Sequence, residues 1–120
     1  VTEPQPFTVP VGSRVYLGEP ADEPRALLDA IGAALAGVPA VREARRVWAM
    51  VENGTPGLVI GIDVDPDEAA TRREAMAAVS RALAVVPAAF PLGVAFVGDR
   101  GELVAWMAAN AAPFFLAAND

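Results

Sequence analysis

Two extended runs separated by a turn signal constrain this chain more than any other feature. Residues 58–64 put Leu58, Ile60, Ile62 and Val64 on one side and Val59, Gly61 and Asp63 on the other. That is the two-residue period of a strand with one face turned to a core. Residues 41–52 form a longer run, in which Arg45, Val47, Ala49 and Val51 point one way and Arg46, Trp48, Met50 and Glu52 the other. Between the runs, Asn53-Gly54-Thr55-Pro56-Gly57 supplies the residues that reverse a chain, so the second strand returns antiparallel to the first.

A hairpin with an apolar face must bury it against another layer, and the flanking segments provide helices for this. Pro24 suits a first helical turn, where a missing N–H costs nothing. Leu27, Leu28, Ile31 and Leu35 then form one stripe, and Gly37 with Pro39 ends it. After the second strand Asp65 is expected to cap a helix, with Pro66 at its first position and Asp67 and Glu68 in its first turn. Its buried stripe reads Ala69, Met76, Val79, Leu83 and Val86, and Pro87 and Pro91 break it. Residues 14–17 and 92–97 read as short strands. Asp99 and Glu102 have the spacing of a capping box for a short third helix carrying Leu103, Trp106, Met107 and Asn110, which Pro113-Phe114-Phe115 ends.

The order strand, helix, strand, strand, helix, strand predicts an α+β domain of the ferredoxin-like kind. It places two helices on one face of a four-stranded antiparallel sheet and adds a short C-terminal helix. Residues 1–10, with three prolines, read as an extended lead-in, residues 11–116 as the single domain and residues 117–120 as a tail. Val1 in place of an initiator methionine reads as a fragment boundary. No basic stretch precedes an apolar one at the start, so no signal peptide is expected. The uncharged runs 82–98 and 103–118 are interrupted by proline or asparagine and fall short of the roughly 18–20 apolar residues of a membrane span.

Composition narrows the chemistry sharply. The chain has no cysteine, no histidine and no lysine; all nine of its basic residues are arginines. It can form no thiolate nucleophile, imidazole base or Schiff-base amine, and no metal site built on His or Cys. Ser13 and Ser80 have no base to activate them, and nothing sets two carboxylates across a cleft, so no catalytic residues are expected. A net charge of -6 argues against nucleic acid and anionic membranes as partners. The dense alanine and exclusive use of arginine fit a GC-rich genome.

The motifs, taken in order, resemble one family. Leu17-Gly18-Glu19-Pro20 followed by Pro24 at a helix start is similar to the Gly-x-Pro-x-x-x-Pro signature of the SseB protein C-terminal domain, from the enhanced serine sensitivity family. The strand start at residues 41–44, the run Leu58-Val59-Ile60-Gly61-Ile62-Asp63-Val64-Asp65 and the closing Pro113-Phe114-Phe115 extend the likeness over residues 10–116. Relatives usually end in Pro-Phe-Tyr, so Phe115 lacks a hydroxyl that tyrosine would carry. The resemblance implies a bacterial, cytoplasmic, non-catalytic accessory domain, with a suggested link to a rhodanese-type sulfurtransferase. Rhodanese chemistry itself needs a cysteine, which this chain lacks.

Four sets of residues are candidates for function. Tyr16, Trp48, Met50 and Val59 are expected on the sheet face opposite the two helices, with Phe114 and Phe115 alongside, as a surface for a protein partner or a second copy. The bland reading is that the third helix or the lead-in covers this face. Gly18, Glu19, Pro20 and Asp22 form a strand-to-helix loop that could hold a small ligand such as an amino acid, or could be only a tight turn. The run of Asp63, Asp65, Asp67 and Glu68 fits half of a calcium loop but is explained by helix capping, so no metal and no cofactor are expected. Arg42, Arg45 and Arg46 read as a salt-bridged sheet edge, and Arg72 and Arg73 as partners of Glu68. The leading expectation is an interaction module and the alternative an amino-acid-sensing regulatory domain.

Overall fold

The computed structural model describes residues 5–6, 15–18, 24–51, 57–88, 90, 92–99, 102–111 and 113–116. Its centre is the expected hairpin. Strand β3 (Val41–Val51) pairs antiparallel with β4 (Gly57–Val64) in a register that sets Ala44 opposite Ile62, Trp48 opposite Leu58 and Ala49 opposite Gly57. Helix α1 (Arg25–Leu35) precedes the hairpin and α2 (Ala69–Val85) follows it. The chain then forms β5 (Leu92–Phe96), a 3-10 turn over Val97–Asp99 and helix α3 (Glu102–Asn110).

Three short strands complete the sheet: β1 (Gln5–Pro6), β2 (Val15–Gly18) and β6 (Pro113–Leu116). The neighbours run β1-β5-β4-β3-β2, and β6 also pairs with β3. Because β4 occupies one edge of β3, β2 and β6 share the other edge end to end. Gly18 lies opposite Trp48 and Pro113 opposite Arg45.

The α+β class stands, but the sheet is mixed and not antiparallel throughout. β4 and β5 are parallel direct neighbours joined by α2, and β1 is parallel to β5. The 17-residue helix carries the chain back along the length of β4, so β5 starts from the same end. Within the lead-in, Gln5 and Pro6 extend the sheet as β1. Pro113-Phe114-Phe115 ends α3, as expected, and then forms a strand of its own.

Both faces of the sheet are covered. On one, Leu27, Leu28, Ile31 and Leu35 of α1 and Ala75, Ala78, Val79, Ala82 and Leu83 of α2 bury Leu58, Ile60, Ile62 and Val64. The α1 stripe is the expected one. The α2 stripe is rotated: Ala69 is exposed, Met76 and Val86 are half-buried, and alanines face inward. Small side chains let α2 lie close to α1 and the sheet. The connection from α1 into β3 is tied to the connection from β4 into α2 by the Asp65 amide, which donates to the Ala40 carbonyl at 2.8 Å. On the opposite face Met107 and Ala111 cover Val47, Ala49, Val59 and Ala95, with Trp106 half-buried beside them. A Cβ at Gly61 would stand 2.8 Å from the Met107 methyl, so α3 rests almost directly on the backbone of β4.

The entry to α2 differs from its expected form. Glu68, not Asp65, is the N-cap residue. The Thr71 hydroxyl accepts from the Glu68 amide at 3.1 Å and donates to the Pro66 carbonyl at 2.6 Å. Asp67 is free to pair with Arg72 in a two-pronged contact of 2.6 and 2.9 Å, so Arg72 takes Asp67 and not Glu68 as its acid. The Arg72 guanidinium also lies 4.7 Å over the Phe96 ring. The Asp99 side chain, offered above as a cap for α3, lies outside the described residues.

Candidate functional site

Where α1 begins and α2 ends, the chain leaves a shallow groove. Pro24, Arg25, Ala26 and Leu27 form one wall, and Val86, Pro87, Ala88 and Phe90 the other. Its volume is ≈ 310 Å³ and it opens to solvent. Prolines shape both walls. Pro24 starts α1 with no side-chain cap on the first turn, and Pro87 prevents α2 from continuing. The two helices run antiparallel, so these ends meet.

The back of the groove is braced by Trp48. Its ring meets Phe90 edge-on, with centroids 5.3 Å apart and planes at 78°, an arrangement aromatic pairs favour. Beyond the far wall Val85 is 77% exposed, the largest exposure among the big described apolar side chains. Arg25 is the one charged residue among the described residues of the lining. It is exposed, and among the described residues it has no hydrogen bond, ion pair or ring contact.

The expected interaction face is redistributed. Trp48 lies opposite Leu58 and packs, half-buried, against the core under α1 and α2. Met50, two residues on, shares that side and is half-buried. Val59 lies opposite Val47 on the other face, fully covered by α3. Trp48 and Met50 are therefore not on the face opposite the helices, and Val59 is not open. Tyr16 sits in β2 in register with Met50; its side chain lies outside the described residues. Phe114 and Phe115 are half-buried against the helix-side core, and a Cβ on Gly32 of α1 would contact the Phe115 ring at 3.8 Å. The six residues do not form one surface, and α3 covers the face that was expected to be open.

In the proposed ligand loop only Gly18 is described, as the last residue of β2. Glu19, Pro20 and Asp22 lie outside the described residues. The loop leads directly into Pro24 at the rim of the groove. Sequence reasoning missed Arg25, Ala26, Val86, Ala88 and Phe90 as a group, because two chain segments about sixty residues apart meet there.

The acidic run is used in local structure. Asp65 pairs with Arg42 at 3.0 Å, Asp67 with Arg72, and Glu68 caps α2. Among the described residues no three carboxylates gather where they could hold a metal ion. Asp63 lies directly opposite Glu43 across β3 and β4. Partial burial, then repulsion from Glu43, raise its pKa above the ordinary carboxylate range, against a lowering pull from Arg42. Asp67 is shifted the other way by its hydrogen bonds from Arg72. The arginines are salt-bridged as expected but do not form a sheet edge, because β4 and β6 pair with β3 on both sides there: Arg45 pairs with Glu43 at 3.1 Å and also donates to the Ala111 carbonyl, which ties β3 to the end of α3.

A second cavity of ≈ 50 Å³ lies between this pair and α3, lined by Glu43, Arg45, Gly61, Val97, Val104, Met107 and Ala108. That is room for a water molecule or two, not for a metabolite. No helix among the described residues is long and apolar enough to cross a membrane.

Neither the curated proteins nor the solved structures give a match to this chain. A family model does match: the SseB protein C-terminal domain fits residues 9–116. The match spans every described element from β2 to β6, including the β2 end, the hairpin and the Pro-Phe-Phe strand on which the likeness was first read, and the chain belongs to the SseB protein C-terminal domain family.

Proposed function

We propose that this domain is a non-catalytic interaction module and that its contact surface is the groove between the start of α1 and the end of α2. The carrying observation is the lining. Among the described residues it is apolar apart from Arg25, and it is open to solvent and braced by the Trp48–Phe90 pair. Preformed apolar depressions with rigid aromatic support are where proteins anchor one another. The surface first read around Trp48 thus moves over the edge of the sheet, to what Trp48 supports.

The amino-acid-sensing alternative has one observation in its favour. Glu19, Pro20 and Asp22 are joined in sequence to Pro24, the first residue of the groove lining. A free amino acid also carries an ammonium group, and among the described residues the lining offers no acid to receive it. The interaction reading is favoured on that ground.

The test is capture from lysate of the source cell with the wild-type chain and an Ala26→Arg variant. Ala26 is exposed on the helix surface, so arginine there obstructs the groove without entering the core. A protein retained by the wild type and lost by the variant is the expected result. Equal retention by both would move the contact elsewhere. A saturable thermal shift with serine or a related amino acid, lost in Ala26→Arg, would favour the sensor.

A further inference from the structure

We infer that the groove recognises a short apolar segment of a partner protein that carries a carboxylate side chain beside its anchoring residues. This rests on the interaction reading above and adds the chemistry of the partner.

Two observations select that occupant. The first is volume. A groove of ≈ 310 Å³ that is open along one side accepts about two medium-sized apolar side chains from a chain passing over it, not a whole domain. The second is charge complementarity. Arg42, Arg45 and Arg72 each pair with an acid on their own or a neighbouring element. Arg25 makes no such pairing among the described residues, although it lines an apolar groove. Its guanidinium can give two parallel hydrogen bonds to one carboxylate. A basic partner would instead meet Arg25 with like charge, and that repulsion sets the specificity.

Fit and charge then divide the work. The apolar pair fills the space between Leu27 and Phe90 and supplies most of the affinity. The Arg25–carboxylate contact fixes the direction and spacing of the segment.

The test is selection of a phage-displayed random dodecapeptide library on the full chain, in parallel with the Arg25→Glu and Ala26→Arg variants. Both changes are at exposed positions, and thermal melting confirms that each variant folds. The expected result is enrichment of peptides with two apolar residues and a nearby Asp or Glu. Their synthetic forms should bind Arg25→Glu about tenfold or more weakly, and selection on Arg25→Glu should enrich Lys or Arg in the acidic position. Peptides lost with Ala26→Arg but without charge preference, and unaffected by Arg25→Glu, would overturn the carboxylate assignment and leave the groove as an interaction site. No enrichment, or enriched peptides that still bind Ala26→Arg, would overturn both.

Discussion

Trp48 and Phe90 meet edge to face at 5.3 Å, so the middle of the longest strand is pinned to the segment that leads into β5. This contact makes Trp48 a support of the core and not a free surface residue. Trp48→Glu should lower stability by about 2–3 kcal/mol, because a charge would be forced against a half-buried apolar site. Trp48→Phe should cost about 1 kcal/mol. Urea unfolding followed by circular dichroism checks both. A Trp48→Glu midpoint equal to wild type would mean that the side chain contributes nothing to packing.

Gly32 lies inside α1, facing the Phe115 ring. Added at this position, a methyl group finds ordinary contact distance and no clash. Gly32→Ala should therefore stabilise the domain by about 0.5–1 kcal/mol, through lower unfolded-state entropy and better helix propensity. A fall in melting temperature would show that α1 and β6 are packed more tightly than 3.8 Å implies.

The Glu43–Asp63 pair gives stability a sign with pH. Asp63 has a raised pKa, so the folded chain holds its proton to higher pH than the unfolded chain does. Its charge destabilises the fold above the folded-state pKa, and the cost disappears below the ordinary carboxylate value. Asp63→Asn should thus stabilise at neutral pH by about 0.2–1 kcal/mol, the scale of a like-charged cross-strand pair, and have no effect at strongly acid pH. Asp67 acts oppositely: its pKa is lowered, so its contribution is present at neutral pH and lost as pH falls through the folded-state value. Melting of wild type, Asp63→Asn and Asp67→Asn across the acid range separates the two. A constant Asp63→Asn benefit at every pH would rule out charge as its origin.

The close approach of Gly98 to Asp67 supplies a fourth case. A Cβ at residue 98 would sit 1.7 Å from the Asp67 carboxylate and 3.1 Å from the Arg72 guanidinium. Gly98→Ala should dislodge Asp67 from Arg72 and lower the melting temperature. Combined with Asp67→Ala, which removes the obstruction, the cost of Gly98→Ala should largely vanish. Additive costs in the double variant would place the strain elsewhere.

The hairpin, the α1 stripe and the family were legible because each depends on neighbours in sequence. Leu58, Ile60 and Ile62 alternate with Val59, Gly61 and Asp63, and one side is plainly apolar. The face taken by Trp48 was not legible. In β3 both alternating sets mix arginine with apolar residues, so only the pairing of Trp48 with Leu58 decides it, and that register is set through the turn between the strands. Pro113-Phe114-Phe115 read as a helix stop because its pairing with β3 spans some seventy residues. The groove was hidden for the same reason. Pro24 and Pro87 were each recognised as breaking local structure, but nothing in the spacing said that the two breaks face each other.

The sharing of β3 by three neighbours has a consequence for how the domain opens. β4 runs along one edge, while β6 and β2 divide the other. No single peripheral strand can peel away and free β3, because each loss leaves the others in place. Amide hydrogen exchange should then be slowest in β3, at a rate that tracks opening of the whole domain, while β1 and β2 exchange through local fraying. The strand that looked in sequence like an ambiguous mixture of arginines and aliphatics becomes the clock by which the stability of the entire fold can be read.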